Sequence, residues 1–183
     1  MKKKNIVNNI VIIIVIIIVI VVVFFYLFNE FFNRIPNRSL STRSEGTILS
    51  PCDGTVSNIN GINISIFLSP LDVHAQYVPI DSTVRSIEMI SGSHKMANTP
   101  ESIHNEGVKV IFSSKLGDIE VTQRVGFLAR RIQNYIKPGD ILKRGFNYGR
   151  ILFGSRVDIV LPVNSTRQLK IGDKVYAGIT PIS

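Results

Sequence analysis

A glycine followed by a serine inside an apolar, strand-like run is the first feature of this chain that calls for a chemical reason. The run is Gly149-Arg-Ile-Leu-Phe-Gly-Ser-Arg-Val-Asp158, with the step at Gly154–Ser155. Glycine weakens a strand and marks a bulge or a close approach of backbone. Strain at such a step could present the Gly154 carbonyl to the Ser155 hydroxyl. Gly-Ser is also a common dipeptide, and no Gly-x-Ser-x-Gly elbow surrounds it, which argues against an ordinary serine hydrolase. A second segment, Phe67-Leu-Ser-Pro-Leu-Asp-Val-His-Ala-Gln-Tyr-Val-Pro79, sets Asp72 and His74 on one side of an extended backbone. A carboxylate there could fix the imidazole's tautomer and raise its basicity; the plain alternative is a loop with a surface histidine. The third segment, Ser50-Pro-Cys-Asp-Gly-Thr-Val56, offers Asp53, although a strand end followed by an Asp-Gly turn is its ordinary reading. His94 and His104 lie in polar stretches with turn residues and read as solvated.

The elements that would position these residues are short strands. Thr47–Leu49, Thr55–Ile59, Asn63–Phe67, Gly107–Phe112, Ile119–Gln123 and Arg156–Leu161 are rich in β-branched residues, several alternating polar with apolar, and are bounded by Gly, Pro, Asn or Asp. Only Gly126–Tyr135 could hold a helix longer than two turns. A mainly β domain is therefore expected. Lys137-Pro-Gly-Asp-Ile-Leu-Lys-Arg-Gly145 and Lys170-Ile-Gly-Asp-Lys-Val-Tyr-Ala-Gly178 share Gly-Asp-x-apolar-x-x-Gly at a spacing of 33 residues. Such paired turns suit a barrel-sandwich-like fold of the kind that carries lipoyl or biotin groups. Neither turn has a carrier lysine, which counts against a swinging-arm module.

Ahead of this domain, every residue from Ile10 to Phe28 is Ile, Val, Phe, Tyr or Leu, and no charge lies between Lys4 and Glu30. Nineteen helical residues cover about 28 Å, close to the hydrocarbon thickness of a bilayer. A secretory signal would be shorter and end in a small-residue cleavage site. The chain thus divides into a membrane anchor (1–30), a linker (31–46) and a domain (47–183). Met1-Lys-Lys-Lys4 precedes the span, and Arg34, Arg38 and Arg43 follow it. For one straight span the positive-inside rule sets the N-terminus in the cytoplasm and the domain outside. A tilted or re-entrant segment keeps both ends inside, and the expectation carried forward is a cell-membrane protein with its domain on the cytoplasmic face. The net charge of +8 suits anionic headgroups. Scattered basic residues without a nucleic-acid-binding motif exclude nucleic acid as the partner. Cys52, the single cysteine, rules out an intramolecular disulfide and a cysteine-cluster metal site, and no metal is expected.

Taken together, the segments resemble phosphatidylserine decarboxylases, in particular their compact bacterial and archaeal branch. The resemblance runs from Phe31-Phe-Asn-Arg-Ile-Pro36 to about Pro162. It is carried by Ser50-Pro-Cys-Asp-Gly54, Leu68-Ser-Pro-Leu-Asp-Val-His74, Ala129-Arg-Arg-Ile132 and, most specifically, Gly149 to Pro162. It implies autocatalytic cleavage at Gly154–Ser155, which converts Ser155 into a covalent pyruvoyl cofactor at the head of fragment 155–183. It further implies that Ser155, His74 and Asp53 are catalytic, His74 moving protons and Asp53 orienting. A Schiff base between the pyruvoyl group and the amine of a serine phospholipid would then release carbon dioxide and leave phosphatidylethanolamine. Arg130, Arg131 and Arg156 are candidate ligands for phosphate or carboxylate, or else surface cations. Longer members have a second histidine where Tyr77 stands, and compact ones an Asn-Arg pair in place of Gln76-Tyr77. The alternatives are an archaetidylserine decarboxylase and a cleavage-inactive, membrane-anchored scaffold of the same fold. A homo-oligomer is left open.

Overall fold

The structure, a computed structural model, describes residues 2–38, 46–127, 131–152, 155–166 and 168–183, with helix side chains described from residue 8. It divides into two units, residues 1–34 and 35–183. The first is one helix, α1 (Lys2–Phe32). Its stretch Asn8–Phe32 is long and apolar enough to cross a membrane. Ile10 to Leu27 are all exposed, so the helix is apolar around its whole circumference. That arrangement suits lipid, in which the backbone must satisfy its own hydrogen bonds.

The second unit is mainly β, as its short alternating runs predict. Its strands are β1 (Gly54–Asn60), β2 (Asn63–Leu68), β3 (Ala75–Tyr77), β4 (Ser82–Ile90), β5 (Gly107–Ser114), β6 (Gly117–Val125), β7 (Arg131–Asn134), β8 (Ile141–Leu142), β9 (Asn147–Leu152), β10 (Ser155–Val160) and β11 (Lys174–Val175). An antiparallel sheet runs β11-β1-β2-β10-β6-β5-β4-β8, and a smaller one runs β3-β9-β7. The core includes Ile64, Ile66, Val110, Phe112, Ile119, Val121, Tyr148, Val157 and Ile159, with Phe112 and Tyr148 meeting edge to face. Within the stretch read as a possible helix, Arg131–Asn134 is instead the strand β7, paired along its length with β9. Thr47–Leu49 contributes a single bridge, from Leu49 to Pro181.

The larger sheet reads the same from either edge, and its hydrogen bonds repeat across the middle. The Gly-Asp turns account for the outer pairs. The amide of Gly172 donates to Val56 and that of Gly139 to Val84, each at 2.8 Å. The following aspartates, Asp173 and Asp140, accept in return from Val56 and Val84 at 2.9 Å. Both turn glycines have positive φ, 94° and 93°, which a side chain would strain. Inward from there, Val56 pairs with Ile66 and Ile66 with Val157, while Val84 pairs with Phe112 and Phe112 with Ile119. Val157 therefore corresponds to Ile119. Stepping along the strands, Ser155 corresponds to Gly117 and Leu161 to Gln123. Asp53 and Asp81 correspond as well: each accepts a backbone amide at 2.8 Å, from Ala177 and from Arg144.

Candidate active site

Ser155 opens β10, a central strand paired with β2 on one side and β6 on the other, opposite Leu68 and Val125. Side chains alternate along a strand, so Ser155 shares a face with the core residues Val157 and Ile159. It is fully buried, and its Oγ has no hydrogen-bond partner among the described residues. An unpaired buried hydroxyl costs about 1–3 kcal/mol, so its presence needs a reason. Gly154 lies outside the described residues.

His74 is tied by the smaller sheet to β9, the strand that precedes Ser155 in the chain. It immediately precedes β3, which pairs with β9, and its carbonyl accepts the amide of Ile151 at 3.2 Å, four residues before Ser155. The imidazole is buried, with Nδ1 2.9 Å from the backbone carbonyl oxygen of Asp72. A carbonyl only accepts, so Nδ1 carries the hydrogen and Nε2 of the neutral ring carries the lone pair. The tautomer is thus set by the backbone of Asp72 and not, as the two-residue spacing suggested, by its carboxylate. That carboxylate instead accepts the amide of Ser69 at 2.9 Å and faces Lys174 Nζ at 3.1 Å. Gln76, also fully buried, donates from Nε2 to the His74 carbonyl at 3.3 Å.

Asp53 ends the loop before β1. Thr55, Phe67 and Arg156 lie on one line across β1, β2 and β10, so Gly54 and Ser155 flank Leu68 about 10 Å apart at ordinary strand spacing. Gly54 is required here, since a Cβ would stand 2.4 Å from the Phe67 carbonyl oxygen. The Asp53 carboxylate is buried and taken up by a fork: Arg38 Nη1 and Nη2 donate to Oδ1 and Oδ2 at 2.5 and 2.6 Å. The Ala177 amide adds a third bond at 2.8 Å, and Arg38 also donates to the Ala177 carbonyl at 2.9 Å. The guanidinium lies 5.7 Å from the ring centre of Tyr77. Burial pushes the Tyr77 phenol above its ordinary pKa, with Arg38 opposing. Burial, reinforced by the charge of Asp53, raises the neighbouring Cys52 thiol well above its ordinary value, which leaves it an inert packing group.

The opposite face of the sheet holds Arg156, which is buried and whose guanidinium is engaged. Nε donates to Asp158 at 2.7 Å, Nη1 to Ser102 at 3.1 Å and Nη2 to Ser65 at 2.8 Å. Arg124 shares the same carboxylate at 2.7 Å. Arg131 is exposed, and Arg130 lies outside the described residues. His94 and His104 are both exposed, as their polar surroundings predict.

The family model for phosphatidylserine decarboxylase matches residues 25–183. The chain belongs to the phosphatidylserine decarboxylase family. It is 40% identical over 157 residues to a phosphatidylserine decarboxylase proenzyme of Streptomyces avermitilis, covering 83% of this chain and 72% of that protein. It is 39% identical over 168 residues to the protein of that name from Chlorobium phaeovibrioides, covering 86% and 76%. A Methanosarcina acetivorans protein, provisionally named an archaetidylserine decarboxylase proenzyme, is 38% identical over 156 residues, covering 85% and 74%. Relatives named as proenzymes accord with a decarboxylase that is processed from a longer chain.

Sequence reasoning missed three residues near Ser155 and its partners. Arg38 sat in the linker with nothing to mark it as the mate of Asp53. Gln76 was noted only as a departure from the family pair. Gln123 carried a readable signal: in Ile119-Glu-Val-Thr-Gln123 it occupies the parity of Ile119 and Val121, where the core expects an apolar residue. The structure buries it completely, with neither polar atom of its carboxamide hydrogen-bonded among the described residues.

Proposed function

We propose that the protein is a membrane-anchored phosphatidylserine decarboxylase whose pyruvoyl group is made by self-cleavage at Gly154–Ser155. The observation that carries this reading is the fully buried Ser155 hydroxyl, unpartnered at the head of a central strand within the family's most specific motif. A pyruvoyl group formed from Ser155 would inherit this dry position, which fits a small carbonyl with no charge to solvate.

In the processing step, His74 Nε2 takes the hydroxyl proton as Ser155 Oγ bonds to the Gly154 carbonyl carbon. The carbon–nitrogen bond breaks, the nitrogen gains a proton, and the amide becomes an ester. Loss of the Ser155 Cα proton with cleavage of the Cβ–Oγ bond separates the chains. One water is consumed and one ammonia released as the new N-terminus forms. Asp53 and Arg38 contribute by fixing the start of β1 beside Leu68, the rung that also holds Ser155. The pyruvoyl group, once formed, supplies an electron-withdrawing carbonyl to which a primary amine can be joined, so that carbon dioxide can leave. His74 Nε2 then holds the proton that is returned to the substrate carbon. Burial excludes water from that exchange.

The anchor supports a substrate that stays in the bilayer, since tethering raises the local concentration of the partner it must meet. The reading includes a domain on the cytoplasmic face of the cell membrane, which protease accessibility in intact cells against inverted vesicles checks. The deciding experiment is intact-mass spectrometry of the purified chain beside Ser155→Ala. Fragments 1–154 and 155–183, the smaller blocked at its N-terminus, are expected from the parent and absent from the variant. Vesicles of phosphatidylserine should then release carbon dioxide only with the cleaved protein. A parent chain that stays whole in detergent and in lipid would overturn the reading.

A further inference from the structure

We infer that Gln123 is a further catalytic residue of the processing reaction, its Nε2–H donating to Ser155 Oγ as that oxygen departs from Cβ. The inference rests on the self-cleavage reading. Its basis is the way the fold repeats itself.

Gln123 stands on β6 opposite Val157, on the same face of the sheet as Ser155 and two rungs along from the Ser155–Val125 pair. Such diagonal neighbours are within reach of a long side chain. Both side chains are completely buried, and both carry polar atoms without partners among the described residues. The residue that corresponds to Gln123 in the other half of the sheet is Leu161, a buried member of the apolar core. Leu161 donates its amide to Ile62, as the repeated ladder requires. At the matching place the fold therefore packs a leucine and uses no carboxamide. Departures of this kind from the local packing rule concentrate where chemistry is done.

The elimination that separates the two chains has a use for a donor at this location. As the Ser155 Cα proton leaves, its electron pair forms the Cα–Cβ double bond, and the Cβ–Oγ pair passes to oxygen. Oγ thereby becomes one oxygen of the Gly154 carboxylate and gains negative charge in a site closed to water. A preorganised N–H there stabilises that charge without waiting for solvent to arrange itself.

The test uses the full chain, freshly made in detergent, as parent, Gln123→Leu and Gln123→Met, with Ser155→Ala as control. Hydroxylamine, which cleaves esters and spares amides, reports the ester; intact mass reports the blocked 155–183 fragment. The expected result is at least a tenfold slower appearance of the blocked fragment in both variants. A hydroxylamine-labile ester should accumulate, while the melting temperature stays level or rises. Processing at the parent's rate, slow processing without accumulated ester, or a large fall in melting temperature in both variants would each overturn the inference while leaving self-cleavage intact. A parent with neither ester nor fragments would overturn both.

Discussion

Arg38 lies fifteen residues from Asp53 in sequence, and the two form a buried fork with 9% and 7% of their side chains exposed. Such a pair is a weak source of net stability, because both charges lose their water, but removing one partner strands the other. Arg38→Met should therefore lower unfolding stability by about 3–5 kcal/mol, read from denaturant titration. Replacing both residues, Arg38→Met with Asp53→Leu, should recover much of that loss, which would separate the fork's role in holding β1 from any role in chemistry. If the single variant is as stable as the parent, the fork is not formed in solution. At this scale Ser155, His74 and Asp53 could be picked out as candidates from residue type and spacing, and only the family resemblance gave them catalytic roles. Their partners could not be picked out. Arg38 reaches Asp53 from the linker, outside any strand, and Gln123 shares a face with Ser155 only through the pairing of β6 with β10, of which the parity of Gln123 was the one local sign.

Strands were legible where one face is buried and the other is not. The runs around Ile119–Gln123 and Arg156–Leu161 alternate, and both became central strands. The stretch around Arg131–Asn134 was misread because four residues are too few to separate a helical period from an extended one. Pairing with β9 decided the matter. The two Gly-Asp turns were legible as local chemistry, yet their deeper meaning, a sheet with matching halves, emerges only from the ladder. Asp81, the counterpart of Asp53, holds the same kind of turn at the surface. The Arg144 amide, then the Lys143 ammonium, hold its carboxyl below the ordinary range. A carboxylate with a lowered folded pKa stabilises above its unfolded value, near 3.9, and loses that contribution as pH falls through the folded value. The side chain is 57% exposed, so the effect should be modest. Asp81→Asn should cost at most about 1 kcal/mol at neutral pH, with parent and variant converging below about pH 4 in acid-unfolding curves. A gap that widens on acidification would contradict the assigned direction.

The proposed cut falls between β9 and β10, the last strand of the smaller sheet and a central strand of the larger one. The fragment 155–183 would keep β10 clamped between β2 and β6, and β11 zipped to β1, so breaking the chain removes no rung from either ladder. A molecule matured in this way is a two-chain complex in which one partner threads the middle of the other. Folding and assembly, one event before the cut, become two events after it. The uncut Ser155→Ala chain should melt at a temperature independent of its concentration, whereas the matured protein, where melting is reversible, should melt higher as it is concentrated, by mass action. Heating would then erase an arrangement that only the uncut precursor could lay down in a single chain, so each copy is assembled once and its working life is set by how slowly that central strand lets go.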